Sequence, residues 1–203
     1  KKDIYKMYQE KGYQILKDKS ELENIKKGSK ALGVFAAGAL PYSIDRTNTP
    51  ELQHTPTLAE MSKAAIDQMK DHKEGFVLLI EGGKVDWAAH ANDIAALIHD
   101  QLAFDEAVKT AVDFAEKDKE TLVIITTDHG NANPGLIYGT EATKKFNSIA
   151  DYKYTNEYIL NAIHSDFNLQ QIKDWIYQTN KISLSDQEAQ HLLDFYSGLE
   201  KME

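Results

Sequence analysis

The sequence predicts an α/β fold built on a largely parallel sheet, and three observations predict it. Two apolar runs, Phe76-Val77-Leu78-Leu79-Ile80 and Thr121-Leu122-Val123-Ile124-Ile125-Thr126-Thr127, carry no charge, as strands covered on both faces do. A helix-like segment separates them, starting at about Asp86 or Asn92 and ending at Glu116. Upstream, further strand-like runs alternate with helical ones, the order that gives a parallel sheet with helices on both faces. The chain of 203 residues, 42% hydrophobic and 27% charged, suffices for one large domain or for a core with an appendage.

Taken in order, residues 2–11 read as an amphipathic helix with Ile4, Met7 and Tyr8 on one face, stopped by Gly12. Residues 13–16 read as a short strand. Residues 20–27 read as a helix with Ser20 as N-cap and Glu23 three positions on. A buried strand is expected at 31–36, then a loop punctuated by Pro41 and Pro50. Thr57 opens a helix running to about Lys70, with Leu58, Met61, Ala65, Ile66 and Met69 as its inward stripe.

After Gly135 the aliphatic runs stop, and helices are expected at 151–164, 168–179 and 186–199. Ser165 or Asp166, and then Ser185, are the expected N-caps. Tyr152, Tyr154, Tyr158, Trp175 and Tyr177 read as packing residues. The chain thus divides into a core, residues 1–135, and a helical insertion or cap, residues 136–203.

A net charge of -9 argues against nucleic acid as a partner. No apolar run approaches the roughly 20 residues of a membrane span, so no membrane partner is expected. No signal peptide is visible. With 0 cysteines, any metal must be held by Asp, Glu and His.

Candidates for that role sit where the predicted strands end. Ligands of a parallel sheet bind beyond the carboxyl ends of its strands. Glu81 follows the first run, before Gly82 and Gly83; Asp86 and His90 come next at i, i+4 spacing, on one face if helical. Asp128 and His129 end the second run. Being adjacent, they converge only where the backbone turns, and Gly130 is expected to supply that freedom. Carboxylate and imidazole together suit zinc; a carboxylate with few other protein ligands suits magnesium. His54, His72, His99, His164 and His191 lack such company and read as surface or packing residues.

The stretches 76–90 (Phe-Val-Leu-Leu-Ile-Glu-Gly-Gly-Lys-Val-Asp-Trp-Ala-Ala-His) and 121–130 (Thr-Leu-Val-Ile-Ile-Thr-Thr-Asp-His-Gly) resemble alkaline phosphatase. The resemblance reaches back through Leu32-Gly33-Val34-Phe35-Ala36 and covers roughly residues 10–135. It implies a three-layer sandwich and a hydrolase of phosphate monoesters. The family works through a phosphoserine intermediate with two zinc ions and one magnesium. By the same resemblance Glu81 is a magnesium ligand, Asp86 and His90 bind one zinc, and Asp128 and His129 bind the other. Trp87 falls at a position where the family varies among lysine, histidine and tryptophan, near the substrate. A periplasmic or secreted location and a homodimer are further family expectations, and the insertion is expected over the active-site mouth or at the dimer interface.

The chain also departs from the pattern. The family's nucleophilic serine, its phosphate-clamping arginine and an aspartate shared by zinc and magnesium have no match, and neither does the third histidine of the first zinc site. Arg46 is the only arginine, in an unrelated context. The expectation is an interior piece of such an enzyme, with none of the covalent machinery and no turnover by itself. Two alternatives remain. The run Thr127-Asp128-His129-Gly130-Asn131 also resembles phosphoglycerate mutase and phosphopentomutase, although the Glu-Gly-Gly-x-x-Asp-x-x-x-His run takes the alkaline phosphatase form. A non-catalytic binding module is the other.

Overall fold

The computed structural model describes residues 3–135, 138–164 and 166–199. The chain opens with α1 (Ile4–Glu10), capped by Asp3 and ended by Gly12 at φ +82°. That angle is open to glycine at no steric cost. Strand β1 (Tyr13–Leu16) pairs in parallel with β2 (Lys30–Gly33), Tyr13 opposite Lys30 and Leu16 opposite Gly33. β2 stops short of the expected 36, and the Phe35 ring lies over Gly33, where a Cβ would come within 2.6 Å of it.

The connection from β1 to β2 carries a 3-10 turn, Lys19–Asn24, capped by Asp18 rather than Ser20. Asp18 accepts from the Ser20 N–H at 2.9 Å, and Glu21 closes the capping box. A carboxylate two positions earlier outcompetes the serine hydroxyl, which itself donates to Asp18. Then come α2 (Ser43–Asn48) and α3 (Leu58–Met69). Thr57 and Glu60 form the capping box of α3, so this helix starts where the sequence placed it.

The segment expected as one helix is two, α4 (Gly83–His90) and α5 (Ile94–Asp118). Asn92 breaks it at φ 52°, and Asp93 begins again by accepting from the Ala96 N–H at 3.0 Å. Asparagine tolerates this left-handed turn better than other side-chain-bearing residues. Helix α5, 25 residues long, is the beam against which α2, α3 and α4 pack. Its seam with α4 is lined by alanines: Ala88, Ala95 and Ala96 are buried with Tyr42 and Ile44, and Leu97, Ile149 and Tyr152 pack against them. Small residues let the helix axes approach closely.

After α6 (Ala142–Asn147) the chain builds a second core from α7 (Asn156–Asn161), α8 (Leu169–Asn180) and α9 (Asp186–Leu199). Ile159, Ile163, Ile172, Ile176 and Ala189 fill it. Thr155 caps α7 and Asn168 caps α8, in place of Asp166; Ser165 lies outside the described residues. Ser185 caps α9 as expected, accepting from the Glu188 N–H. Trp175 spends its indole N–H on the Ile159 carbonyl at 3.0 Å.

Helices with a small parallel sheet give the α/β class the sequence predicts. The two apolar runs differ from expectation. Residues 76–80 and 121–127 form no strand ladder among the described residues, and the sheet there has two strands, β1 and β2. Exposure alternates along 76–80, the period of extended chain. An apolar run specifies a strand's faces, but its ladder depends on neighbours that local sequence does not name. Among the described residues, no helix is long and apolar enough to cross a membrane.

Candidate functional site

Helix α4 carries the first candidates. Asp86 and His90 lie one turn apart and do share a face: His90 Nε2 is 3.4 Å from Asp86 Oδ1. The loop after residue 127 brings up the second pair. His129 Nε2 reaches to 4.0 Å of the same Asp86 oxygen and lies 3.6 Å from Asp128 Oδ2. So one carboxylate oxygen, on Asp86, faces two imidazoles from separate parts of the chain. The Asn131 amide donates to it at 3.0 Å and fixes its rotamer.

The turn that delivers His129 differs from the expectation built on Gly130. No positive φ occurs at Gly130; Ala132 and Asn133 take the left-handed angles instead, at φ 55° and 43°. Asp128 accepts from the His129 N–H at 3.0 Å, and the Thr127 hydroxyl donates to the His129 carbonyl at 2.8 Å.

Glu81 stands apart. Its Oε1 lies 3.1 Å from where a Cβ on Gly83 would sit, so the carboxylate folds over the start of α4. No hydrogen bond or ion pair joins it to the other four candidates. The glycines here serve close approach rather than unusual angles. A Cβ on Gly82 would come within 2.8 Å of the Phe104 ring on α5. Gly82→Ala is therefore expected to push α4 off α5 and cost about 1–3 kcal/mol, read as a lower urea midpoint. An unchanged midpoint would show that Phe104 yields freely.

Asp86, His90, Trp87, Ala91 and Tyr42 line an open cleft of about 450 Å³. The Trp87 indole is half exposed at its wall. Two residues here escaped the sequence reading: Tyr42, from the loop before α2, and Lys84, whose ammonium sits 4.0 Å from the Tyr42 ring centre and 4.3 Å from that of Trp87. Lys84 lies within the stretch 76–90, where the sequence gives it no role, and its company with Tyr42 joins positions far apart in the chain. Burial holds the Lys84 ammonium below the usual lysine range. Burial, reinforced by Glu157, Asp100, Asp93 and Asp45, pushes the Tyr42 hydroxyl up to about 12. Tyr42 also contacts the second half of the chain through the cluster that takes in Ile149 and Tyr152.

Do these donors suit a metal? Tetrahedral zinc with bonds of about 2.0–2.1 Å sets its ligand atoms about 3.3 Å apart. The Asp86–His90 pair, at 3.4 Å, already spans one such edge. The chemistry of carboxylate oxygen and imidazole nitrogen fits. What is formed are pairs: among the described residues no three His, Asp or Glu side chains converge to hold an ion.

Comparison with known proteins bears on this arrangement. The alkaline phosphatase family model matches residues 1–190. Alkaline phosphatase 3 of Bacillus subtilis is 33% identical over 192 residues, covering 93% of this chain and 40% of that protein. Streptomycin-6-phosphate phosphatase of Streptomyces griseus is 35% identical over 143 residues, 60% of this chain and 32% of that protein. The crystal structure of Thermus thermophilus alkaline phosphatase superposes with a TM-score of 0.87 at 31% identity, covering 96% of this chain and 41% of the other. The chain thus spans less than half the length of the relatives it matches.

Proposed function

The chain belongs to the alkaline phosphatase family, and from that premise we propose that it carries metal-ligating residues of a phosphomonoesterase active site. The observation behind this reading is the shared oxygen: Asp86 Oδ1 lies 3.4 Å from His90 and 4.0 Å from His129. Asp86 with His90 would hold one zinc ion, Asp128 with His129 a second, and Glu81 a magnesium ion. When bound, such ions supply Lewis-acid polarisation of phosphoryl oxygens and an acidified water.

The chain's own groups prepare that chemistry. Asn131 orients the Asp86 carboxylate, and helix α4 holds His90 on the same face. Asp128 braces the His129 backbone, and Trp87 walls the cleft toward which a phosphoester would approach. Each imidazole would ligate through a neutral ring nitrogen. The phosphoserine step that the family resemblance implies has no residue assigned to it in this chain. The substrate is a phosphate monoester; a periplasmic or secreted setting and a homodimer are part of the same reading.

Zinc titration by calorimetry, with phosphate-ester hydrolysis assayed in parallel, tests it. Two protein ligands per zinc are fewer than the three or four of complete sites, so weak binding without turnover is expected. Asp128→Ala/His129→Ala should weaken it further, by at least tenfold. Binding indifferent to that double variant would end the assignment; turnover at enzymatic rates would show that the chain completes its own sites.

A further inference from the structure

Trp87 is the large side chain of the cleft that the metal-site reading uses only as a wall. Its indole is 52% exposed, in a residue type that ordinarily buries about 150–250 Å². The ring is nevertheless held. The Lys84 ammonium lies over it, 4.3 Å from the ring centre. Tyr42, at 4.0 Å, and the acidic neighbours Glu157, Asp100 and Asp45 keep that ammonium in place. Trp87 lines the cleft and Lys84 does not, so the face that Lys84 covers is turned away from it. One face of the indole is occupied, and the other meets the cleft.

Local spacing sets what the open face can meet. His90 stands three positions beyond Trp87, at the end of α4, and Ala91 stands four beyond it, at the C-cap. Both are therefore neighbours of Trp87 on the helix surface, with Cβ atoms about 5–6 Å from its own. The Ala91 methyl is too small to cover the ring, and Ala91, His90 and Asp86 line the same cleft as Trp87. A phosphate held at Asp86 and His90 thus brings the group attached to it within about one ring's width of the indole. A flat ring there gains the offset or edge-on contact that aromatic pairs prefer, whereas a puckered group of the same size gains burial alone.

We propose that Trp87 is a specificity residue whose cleft-side face stacks on a planar, aromatic leaving group of the phosphomonoester. The proposal rests on the metal-site reading for where the phosphate sits. Trp87 selects phosphomonoesters of aromatic alcohols over those of saturated alcohols of the same size.

Two matched ligands test it: phenylphosphonate, with a flat ring, and cyclohexylphosphonate, with a puckered ring of the same carbon count. Calorimetry is run on the 203-residue chain with zinc present, using wild type, Trp87→Leu, Trp87→Phe and Asp86→Ala, with circular dichroism to verify folding. Wild type should prefer phenylphosphonate about fivefold, the scale of one aromatic pair beyond the area it buries. Trp87→Leu, apolar but without a ring, should abolish the preference, and Trp87→Phe should retain it. Asp86→Ala should weaken both ligands alike. No preference in wild type, one that survives in Trp87→Leu, or one that Trp87→Phe loses outright, overturns the proposal. A Trp87-dependent preference, with binding of both ligands that ignores Asp86→Ala, upholds Trp87 and overturns the metal-site reading. Binding of neither ligand overturns both.

Discussion

Asp45→Ala is expected to lower folding stability by about 3 kcal/mol, from a lost buried acceptor and the cavity left behind. Asp45 sits on α2, almost fully buried, and accepts both the Thr155 N–H and the Thr155 hydroxyl at 2.8 Å. Thr155 is itself 1% exposed, so without Asp45 its N–H meets no water. The same threonine caps α7, taking the Tyr158 N–H at 3.0 Å. Asp93 acts in parallel: it caps α5 and accepts from the Asn156 N–H at 2.6 Å. Two buried carboxylates thus fasten the start of α7 to α2 and α5, and one substitution should loosen the second core as well. Urea unfolding measures the cost, and faster hydrogen exchange in α7 and α8 than in α3 would locate it. An Asp45→Ala chain as stable as wild type would mean that Thr155 finds another acceptor.

The isosteric Asp45→Asn should behave differently, and the sign follows from burial. Burial lifts the Asp45 carboxyl above its ordinary value of 3.8, and the two bonds from Thr155 offset this only in part, while Asp93 and Glu157 add to it. A folded-state value above the unfolded one means that the native state holds the proton more tightly. Stability from this group is therefore full below 3.8 and falls as pH rises through the raised folded value. Asparagine has no such loss. The stability of Asp45→Asn relative to wild type should rise between acid and neutral pH, then level off. Asp100, raised by burial against the donors of Ser43, slopes the same way, whereas Glu60 and Asp67 lie below their usual range and slope oppositely. The difference between two chains that share those groups isolates Asp45. A difference constant with pH would mean that Asp45 titrates alike folded and unfolded.

What the sequence disclosed was what short-range chemistry decides. The i, i+4 spacing of Asp86 and His90 became a 3.4 Å contact, and the Thr57–Glu60 capping box fixed the start of α3, because both need only one helical turn. Where two local devices compete, the reading erred by a few positions: Asp18 over Ser20, Asn168 over Asp166, and Asn92 splitting one helix into two. Meetings across distance were not legible. His129 reaching Asp86, Tyr42 reaching Lys84, and Asp45 finding Thr155 each join residues far apart in sequence. No pattern around Asp45 marks it as buried, since the Asp45-Arg46-Thr47 run reads as a polar loop.

The apolar runs supply the last expected result. Val77 is 96% exposed, Leu79 88%, Leu122 81% and Ile124 77%. These are large aliphatic side chains on segments that also lack a ladder partner among the described residues. Extended backbone with free N–H and C=O groups is a template for pairing, and exposed apolar rows add a driving force of about 25 cal/mol per Å² removed from water. The isolated chain should therefore associate with itself and bind a hydrophobic dye. Val77→Thr/Leu79→Lys/Leu122→Thr/Ile124→Lys should shift it from large species to monomer in sedimentation velocity, with the helical circular dichroism signal retained. Retention is expected because the alternate residues of residues 76–80, Phe76, Leu78 and Ile80, keep the inward contacts, among them Phe76 against Phe114 of α5 at 6.1 Å between ring centres. If the fourfold variant instead unfolds, the outward row contributes to the native core and these segments are packed in solution. If it folds but still associates, the driving surface lies elsewhere, and the exposed face of α1, with Ile4 and Met7, is next to substitute.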